Sequence, residues 1–232
     1  MNRLAALILT GVLAVVGWAV LVDVPSAPVE APVKTPVETQ IDAVEPAPGL
    51  LDALEVKGRA PMTGYERERF GQAWSDDVRV EGGRNGCDTR NDILRRDLHD
   101  VVIRPGTHGC LVESGILQDP YSGDVVDFVR GPRSAEIQID HVVALADAWQ
   151  KGAQAWDEQT RRDFANDPRN LLAVRGELNQ QKGAGDAATW LPPRTAYRCE
   201  YATRIVDVKA AYGLWVTEAE REALSRELQR CP

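Results

Sequence analysis

Three short segments in the middle of the chain decide the fold: SAEIQIDHVV at residues 134–143, NDPRNLLAV at 166–174 and GELNQQKG at 176–183. The first alternates apolar and polar residues, which predicts a strand that ends in the chemically capable pair Asp140 and His141. The apolar run that follows Asn170 predicts a second strand. The third segment lacks β-branched residues and ends at Lys182-Gly183, which predicts a short helix terminated by glycine.

In this order the three segments resemble the ββα-metal core of HNH endonucleases, in particular the subgroup whose third signature residue is Asn, here Asn179. The flanking ATWLPP at 188–193 and GCDTR at 86–90 resemble secreted, single-domain members of that subgroup. The resemblance therefore extends from about residue 65 to the C-terminus, with a long spacer inside the core. It implies an α+β fold: a ββα-metal nuclease core and an additional β-hairpin, surrounded by helices and disulfide-bonded.

Hydrolysis of a phosphodiester requires an activated water and a positive charge that stabilises the transition state. His141 suits the role of base, because an imidazole with an ordinary pKa near 6.5 is largely neutral at physiological pH. Asp140 precedes it on a strand and so points to the opposite face, which requires a twist or a strand end before both can reach one site. The resemblance implies that His141 activates water while Asp140 and Asn179 hold a metal.

The implied metal ligands are a carboxylate and an amide oxygen. Such hard oxygen donors suit Mg²⁺ or Mn²⁺ better than Zn²⁺, so we expect one magnesium (or manganese) ion. Asn170 corresponds to the middle Asn of the signature. The resemblance gives it a supporting role, in which it bonds backbone so that the catalytic His141 is held in place.

Three basic residues are candidates for contact with substrate phosphate: Lys182, Arg90 and Arg95. The alternative for each is a solvated cation on a helix, and in the last turn of a helix a lysine also suits the helix dipole. His99 and His108 lie outside the signature, and we expect them in loops or on the surface.

The N-terminal region predicts export. Residues 1–22 combine Arg3 with a long apolar run, which fits either a signal peptide or a signal anchor that tethers the protein to a membrane. Residues 23–60 are rich in proline and acids, which predicts a disordered linker before a domain at 61–232. Residues 60–232 carry a net charge of −5 of the total −8, so we expect weak, salt-sensitive binding to nucleic acid that is indifferent to sequence.

Outside the signature, sequence patterns predict a short helix near residues 65–71 that ends at glycine, a helix at 88–98 with Asp88 or Thr89 as N-cap, and a hairpin within 110–129. The spacer at 144–164 predicts two short helices, and two more are expected at 195–212 and 217–230.

The cysteines predict two disulfides, because four cysteines in an exported chain without a Cys-x-x-Cys pair favour disulfides over structural zinc. Three pairings are possible. We prefer Cys87–Cys110, which joins the first helix to the hairpin, and Cys199–Cys231, which joins the last two helices.

These observations favour an exported, monomeric, metal-dependent endonuclease that hydrolyses phosphodiester bonds of DNA, or alternatively of RNA, with little sequence specificity. One alternative is an extracytoplasmic binding module that kept the fold but lost catalysis; the intact Asp140, His141 and Asn179 argue against it. Another is a glycan hydrolase that uses paired carboxylates such as Asp97 and Asp100.

Overall fold

A computed structural model describes residues 49–232, which belong to one compact unit. The described residues form seven α-helices: α1 Leu50–Ala53, α2 Thr89–Asp97, α3 Leu145–Gln150, α4 Glu158–Asn166, α5 Gly176–Lys182, α6 Arg198–Tyr212 and α7 Glu218–Leu228. They also form five strands: β1 Leu98–Ile103, β2 Val112–Gln118, β3 Val125–Val129, β4 Ile137–His141 and β5 Leu171–Arg175. The predicted α+β class is confirmed.

The first sheet has three antiparallel strands in the order β1-β2-β3. Strands β2 and β3 are the predicted hairpin, and α2 begins as predicted after Asp88, whose side chain accepts a hydrogen bond from the Asn91 amide. Sequence reasoning missed β1. Its pairing with β2 is irregular after His99, and Asp100 has a φ of 48°, so the strand lacks the alternating pattern that would predict it.

The ββα core forms as the sequence predicted. Strands β4 and β5 pair antiparallel, with Asp140 opposite Leu172 and His141 opposite Leu171, and α5 follows β5 directly. The spacer between the two strands contains α3 and α4, the two short helices expected there.

The β4–β5 pair lies between two hydrophobic cores. Along β5, Leu171 and Ala173 face a small core with α2 and the three-stranded sheet, whereas Leu172 and Val174 face a larger core built mainly of helices. Burial on both faces explains why β5 is a continuous apolar run. The two cores fix the strand pair on both sides, and the ends of β4 and β5 carry the signature residues.

The two preferred disulfides are confirmed. Cys87–Cys110 joins the residue before the α2 N-cap to the loop that leads into β2, and Cys199–Cys231 joins the first turn of α6 to the residues after α7. The half of the domain around the three-stranded sheet and the helical half therefore each have one covalent cross-link.

Prediction of a disordered linker up to residue 60 is wrong for residues 49–60. Leu50 and Leu51 pack against the helical core, and the Lys57 amide donates a hydrogen bond of 3.0 Å to the Val216 carbonyl. Burial of the apolar residues of this segment against the helical core stabilises an ordered conformation, although the composition of the segment resembles that of a linker. Residues 1–48, with the predicted signal segment and most of the linker, lie outside the described residues. Within 49–232, none of the helices has the length and apolar character that a membrane crossing requires.

Candidate active site

The end of strand β4 opens onto two cavities. A cavity of about 290 Å³, which we call the Asn179 cavity, is lined by residues that include Asp140, His141 and Asn179. A second cavity of about 230 Å³, the Trp74 cavity, shares the His141 wall. Because β4 ends at His141, Asp140 and His141 both reach the Asn179 cavity although neighbours on a strand point to opposite faces.

His141 is buried, and its tautomer is defined by one contact. Its Nε2 lies 2.8 Å from the carbonyl oxygen of Ala165, at the end of α4. A carbonyl only accepts hydrogen bonds, so Nε2 carries the proton and Nδ1 keeps its lone pair. Burial lowers the pKa of His141 from 6.5 to about 3, and the nearby Arg67 adds to this effect. The imidazole is therefore neutral over the physiological range, with one nitrogen able to take up a proton.

Asp140 is held by two buried donors. Lys182 Nζ lies 2.9 Å from Asp140 Oδ1, and the Tyr121 hydroxyl donates to Oδ2 at 2.5 Å. Burial raises the pKa of Tyr121 well above its ordinary value, with the Asp140 carboxylate adding to the effect, so this phenol keeps its proton. Tyr121 and Lys182 thus fix the carboxylate from two sides.

Asn170 shapes the turn that follows β4. Its Oδ1 accepts a hydrogen bond of 2.8 Å from the Val143 amide, and its Nδ2 donates to the Val143 carbonyl at 3.3 Å. The Asn170 backbone carbonyl also accepts from the Val142 amide at 2.8 Å. Asn170 is fully buried and thus ties the start of β5 to the residues directly after His141.

Asn179 projects from α5 and lines the same cavity as Asp140. Its Nδ2 donates to Gln138 Oε1 at 2.9 Å, which leaves its Oδ1 as a candidate metal ligand. Each oxygen of the Asp140 carboxylate accepts one hydrogen bond and retains a second lone pair. Within residues 49–232, no group of three or more His, Cys, Asp or Glu side chains has an arrangement that could hold a metal ion. The oxygen donors Asp140 and Asn179 fit an ion that takes most of its ligands from water and phosphate, as Mg²⁺ does.

The three predicted phosphate contacts have other partners. Lys182 is buried rather than solvated, and besides Asp140 its amine donates to the His141 carbonyl at 2.8 Å. Arg90 donates to the carbonyls of Ser134 and Ile137, at the start of β4. Arg95 is bound to the Asp92 carboxylate and the Gly109 carbonyl. All three serve the fold in this arrangement, so the prediction that they bind phosphate is not supported.

Arg67 is the basic residue that does face the site, and sequence reasoning missed it. It lines both cavities, its charge lowers the pKa of His141, and its guanidinium makes no hydrogen bond or ion pair with the described residues. It lies in the 3₁₀ helix Arg67–Phe70, outside the signature, and no spacing in the sequence singles it out from the neighbouring Arg69. Tyr121 was missed for a similar reason, since it lies between the two strands of the predicted hairpin and outside the signature.

The glycan hydrolase alternative loses its carboxylate pair. Asp97 Oδ2 accepts a hydrogen bond of 2.7 Å from the Ala173 amide, and its carboxylate also pairs with the Arg96 guanidinium. Asp100 is exposed on β1. Since Asp97 is committed to joining α2 to β5, it does not serve as one of two free acid–base groups.

Comparison with known proteins gives two findings that agree with this geometry. The family model for the C-terminal domain of GmrSD restriction endonucleases matches residues 88–227, which contain the whole ββα core. A protein from Arthroderma benhamiae, described as an uncharacterized secreted protein, is 36% identical over 193 residues, which cover 82% of this chain and 87% of that protein. With 193 residues, the match with the fungal protein is much longer than the ββα core itself.

Proposed function

Since the chain belongs to the family of GmrSD restriction endonuclease C-terminal domains, a nuclease-type domain, we propose that it is an exported, metal-dependent endonuclease of the HNH type with little sequence specificity. The observation that carries this proposal is the position of His141: its Nε2 lies 2.8 Å from the Ala165 carbonyl oxygen, which leaves Nδ1 as the proton acceptor, and the residue lines a cavity together with Asp140 and Asn179. Export rests on the N-terminal segment and the secreted relative.

In the proposed mechanism, His141 Nδ1 removes a proton from the attacking water. Asp140 and Asn179 would hold one Mg²⁺ or Mn²⁺ ion, which when bound supplies positive charge to the phosphate and the leaving oxygen. Arg67 binds a phosphate oxygen at the boundary of the two cavities. Asn170 keeps His141 in place through the Val142–Val143 turn, and Ala165 keeps its tautomer.

The net negative charge of residues 60–232 limits how the substrate is bound. An acidic protein lacks the broad positive surface that gives tight binding to nucleic acid, so contacts must concentrate at the site. This arrangement supports a nuclease of low affinity and low sequence specificity. It also means that affinity falls with added salt.

A cleavage assay tests the proposal. The purified protein is incubated with plasmid DNA or with RNA, in the presence of either Mg²⁺ or EDTA. Cleavage with Mg²⁺ that EDTA abolishes is expected; failure of the wild type to cleave either nucleic acid in Mg²⁺ or Mn²⁺ would leave the inactive binding module as the better assignment. His141→Ala should lose cleavage by at least about a hundredfold, as expected for a general base, yet bind Mg²⁺ in calorimetry as the wild type does.

The matched variant is Asn179→Ala, which removes one of the two proposed ligands and leaves His141 intact. It should weaken Mg²⁺ binding, and excess Mg²⁺ should restore part of the cleavage rate. If His141→Ala loses metal binding while Asn179→Ala keeps it, the two roles are assigned wrongly.

A further inference from the structure

The Trp74 cavity lies beside His141, and most of its wall has no part in the proposed mechanism. Its volume is about 230 Å³, which is small for a drug-sized ligand but large enough for one planar ring. The residues of its wall that matter here are Arg67, Phe70, Trp74, His141, Leu145 and Asn166. The wall is thus largely apolar and aromatic, and its polar side chains are Arg67, Glu68, Gln72, His141 and Asn166.

The aromatic ring of Trp74 lines this cavity, and its position is fixed by neighbouring residues. Its ring is nearly parallel to that of His141, with an angle of 13° and 6.0 Å between the ring centroids. Its backbone has a φ of 59°, a left-handed conformation that costs a bulky residue energy and that the surroundings must maintain. The Trp74 carbonyl accepts a hydrogen bond of 3.2 Å from the Thr89 amide at the start of α2, which holds the segment in place.

Asn166 lies in the same wall and carries an acceptor that has no partner among the described residues. The residue is 1% exposed, and its Nδ2 donates to the Arg162 carbonyl at 2.9 Å. That carbonyl only accepts, so the amide orientation is determined and Oδ1 is the other end. Asn166 Oδ1 is enclosed and accepts no hydrogen bond from the described residues, so a ligand reaches it when the Asn166 side chain turns towards the cavity. A buried acceptor without a donor is unfavourable, and a ligand that brings an N–H removes the penalty.

We propose that the Trp74 cavity is a subsite for one unpaired nucleobase, which stacks on Trp74 and donates an amino hydrogen to Asn166 Oδ1. This inference rests on the proposed function. Arg67 and His141 line both cavities, so a phosphate bound beside them has its nucleoside next to the Trp74 cavity. A base inside a duplex is paired and stacked, whereas a base in a single strand is free to enter. The substrate class is therefore single-stranded or locally opened nucleic acid.

The chemistry of Asn166 restricts which nucleobases the subsite prefers. Adenine, cytosine and guanine each carry an amino group that offers N–H donors. Thymine and uracil offer one ring N–H between two carbonyl oxygens, which would face the Asn166 oxygen unfavourably. We therefore infer that the subsite prefers an amino-bearing base.

Equilibrium binding in EDTA tests the subsite without cleavage. Fluorescence anisotropy of a labelled trinucleotide of adenine is compared with three versions that each lack one base. Loss of one particular base should weaken binding by about fivefold or more, in line with stacking on an aromatic ring, and the fully paired duplex should bind more weakly than the single strand. If none of the three deletions changes the Kd, or if duplex binds as tightly, the subsite is absent.

Trp74→Asn is the variant for the stacking contact, because Asn tolerates the left-handed backbone of this position. In this variant, removal of the sensitive base should no longer raise the Kd. The trinucleotide that lacks all three bases should bind to the variant and to the wild type with the same Kd. Should it keep the full penalty, Trp74 is not the stacking surface and the proposal fails.

A second pair of measurements tests Asn166. The wild type should bind adenine at the sensitive position about threefold to tenfold more tightly than purine, which lacks the amino group. Asn166→Leu should bind the two equally, and Gln159→Leu on the same helix should keep the wild-type ratio. If wild type does not distinguish adenine from purine, the role of Asn166 is refuted even if the leucine variant fails to fold.

Failure of this inference is separable from failure of the proposed function. Plasmid cleavage in Mg²⁺ without any base effect in the binding assay overturns the subsite and leaves the nuclease. A base effect in EDTA without cleavage by the wild type supports the subsite in a protein that binds nucleic acid but does not hydrolyse it.

Discussion

Two groups of buried charges differ in how completely they are enclosed. The helical half holds an ionic network of Arg59, Asp147, Lys151, Asp186, Lys209 and Glu220. Lys151 Nζ alone contacts three carboxylates: Asp147 at 2.5 Å, Asp186 at 2.8 Å and Glu220 at 2.7 Å. The Asp140–Lys182 pair at the site is smaller, and Asp140 lines a cavity.

The difference separates a structural group of charges from a functional one. In the ionic network, three cations balance three carboxylates, and burial that would lower the pKa of Lys151 is outweighed by Asp147 and Glu220, which raise it. That network joins α3, α6, α7 and the segment of residues 49–60, and none of its six members lines either of the two cavities at the site. Asp140 also has a charged partner, but one side of it stays accessible to a ligand. Buried charge alone therefore does not mark a functional site; access does.

The largest effect is expected from Lys151→Met. It leaves three carboxylates buried with fewer cations, and loss of one partner from a buried ion pair costs about 3–5 kcal/mol. Urea denaturation measures this loss in the free energy of unfolding. The charge-balanced double variant Lys151→Met, Glu220→Gln should recover part of it. A single variant as stable as the wild type would show that the network contributes little.

Reduction of the disulfides compares the two halves by a different route. Cys87–Cys110 and Cys199–Cys231 close loops of 23 and 32 residues, and each is expected to contribute about 2–4 kcal/mol. Two double variants each remove one disulfide. One combines Cys87→Ser with Cys110→Ser, and the other combines Cys199→Ser with Cys231→Ser. Each should have a lower melting temperature than the wild type. If thiol titration of the native protein finds four free cysteines, the oxidised state is wrong.

A smaller loss is expected from Lys182→Met, of about 1–3 kcal/mol, because Asp140 keeps the Tyr121 hydrogen bond and can gain solvent from the cavity. The sharper expectation is rescue: Mg²⁺ should raise the melting temperature of this variant more than that of the wild type, since the ion replaces the missing cation. Lys151→Met should show no such rescue. Equal Mg²⁺ effects on both variants would remove the distinction between the two groups.

The smallest effect is expected in the activity between pH 5 and 8. A general base with an ordinary pKa of 6.5 would make the cleavage rate rise across this pH range, as the sequence alone suggests. Burial lowers the pKa of His141 to about 3, so its neutral form is already complete at pH 5 and no step near 6.5 is expected in the single-turnover rate. A clear step near pH 6.5 in the single-turnover rate of the wild type would contradict the structure.

The same shift predicts acid sensitivity of the fold. The pKa of His141 is lower in the folded protein than in the unfolded chain, so its contribution to stability is complete above pH 6.5 and declines as the pH falls towards 3. Over that range the wild type should lose about 1.4 kcal/mol per pH unit more than His141→Asn. Parallel stability curves for the two proteins would show that His141 is not buried neutral.

The sequence predicted the ββα core, the helices and both disulfides because each depends on local pattern or on a short set of pairings. It missed β1, whose irregular pairing hides the alternation of a strand. The docking of residues 49–60 was missed as well, since their composition resembles a linker and only a partner surface, which a local pattern does not show, makes them ordered.

Within the site, the sequence predicted the signature residues and failed on the residues around them. Lys182 was a reasonable phosphate contact from its place in the helix, yet its amine is enclosed by Asp140 and the His141 carbonyl. Arg67, Trp74 and Tyr121 reach the site through tertiary contacts, so no spacing along the chain relates them to it. Physical chemistry of residue types identifies donors and bases, but only the fold decides which of them face a cavity.

The spacer between β4 and β5 has a consequence for when activity appears during folding. The carbonyl that sets the His141 tautomer belongs to Ala165, at the end of that spacer, and the hydroxyl that holds Asp140 belongs to Tyr121 in another segment. A chain that has formed only the local ββα hairpin has neither contact. We therefore expect hydrolysis to appear late in refolding, together with the native packing of both halves, so that newly made or partly unfolded molecules leave nucleic acid intact.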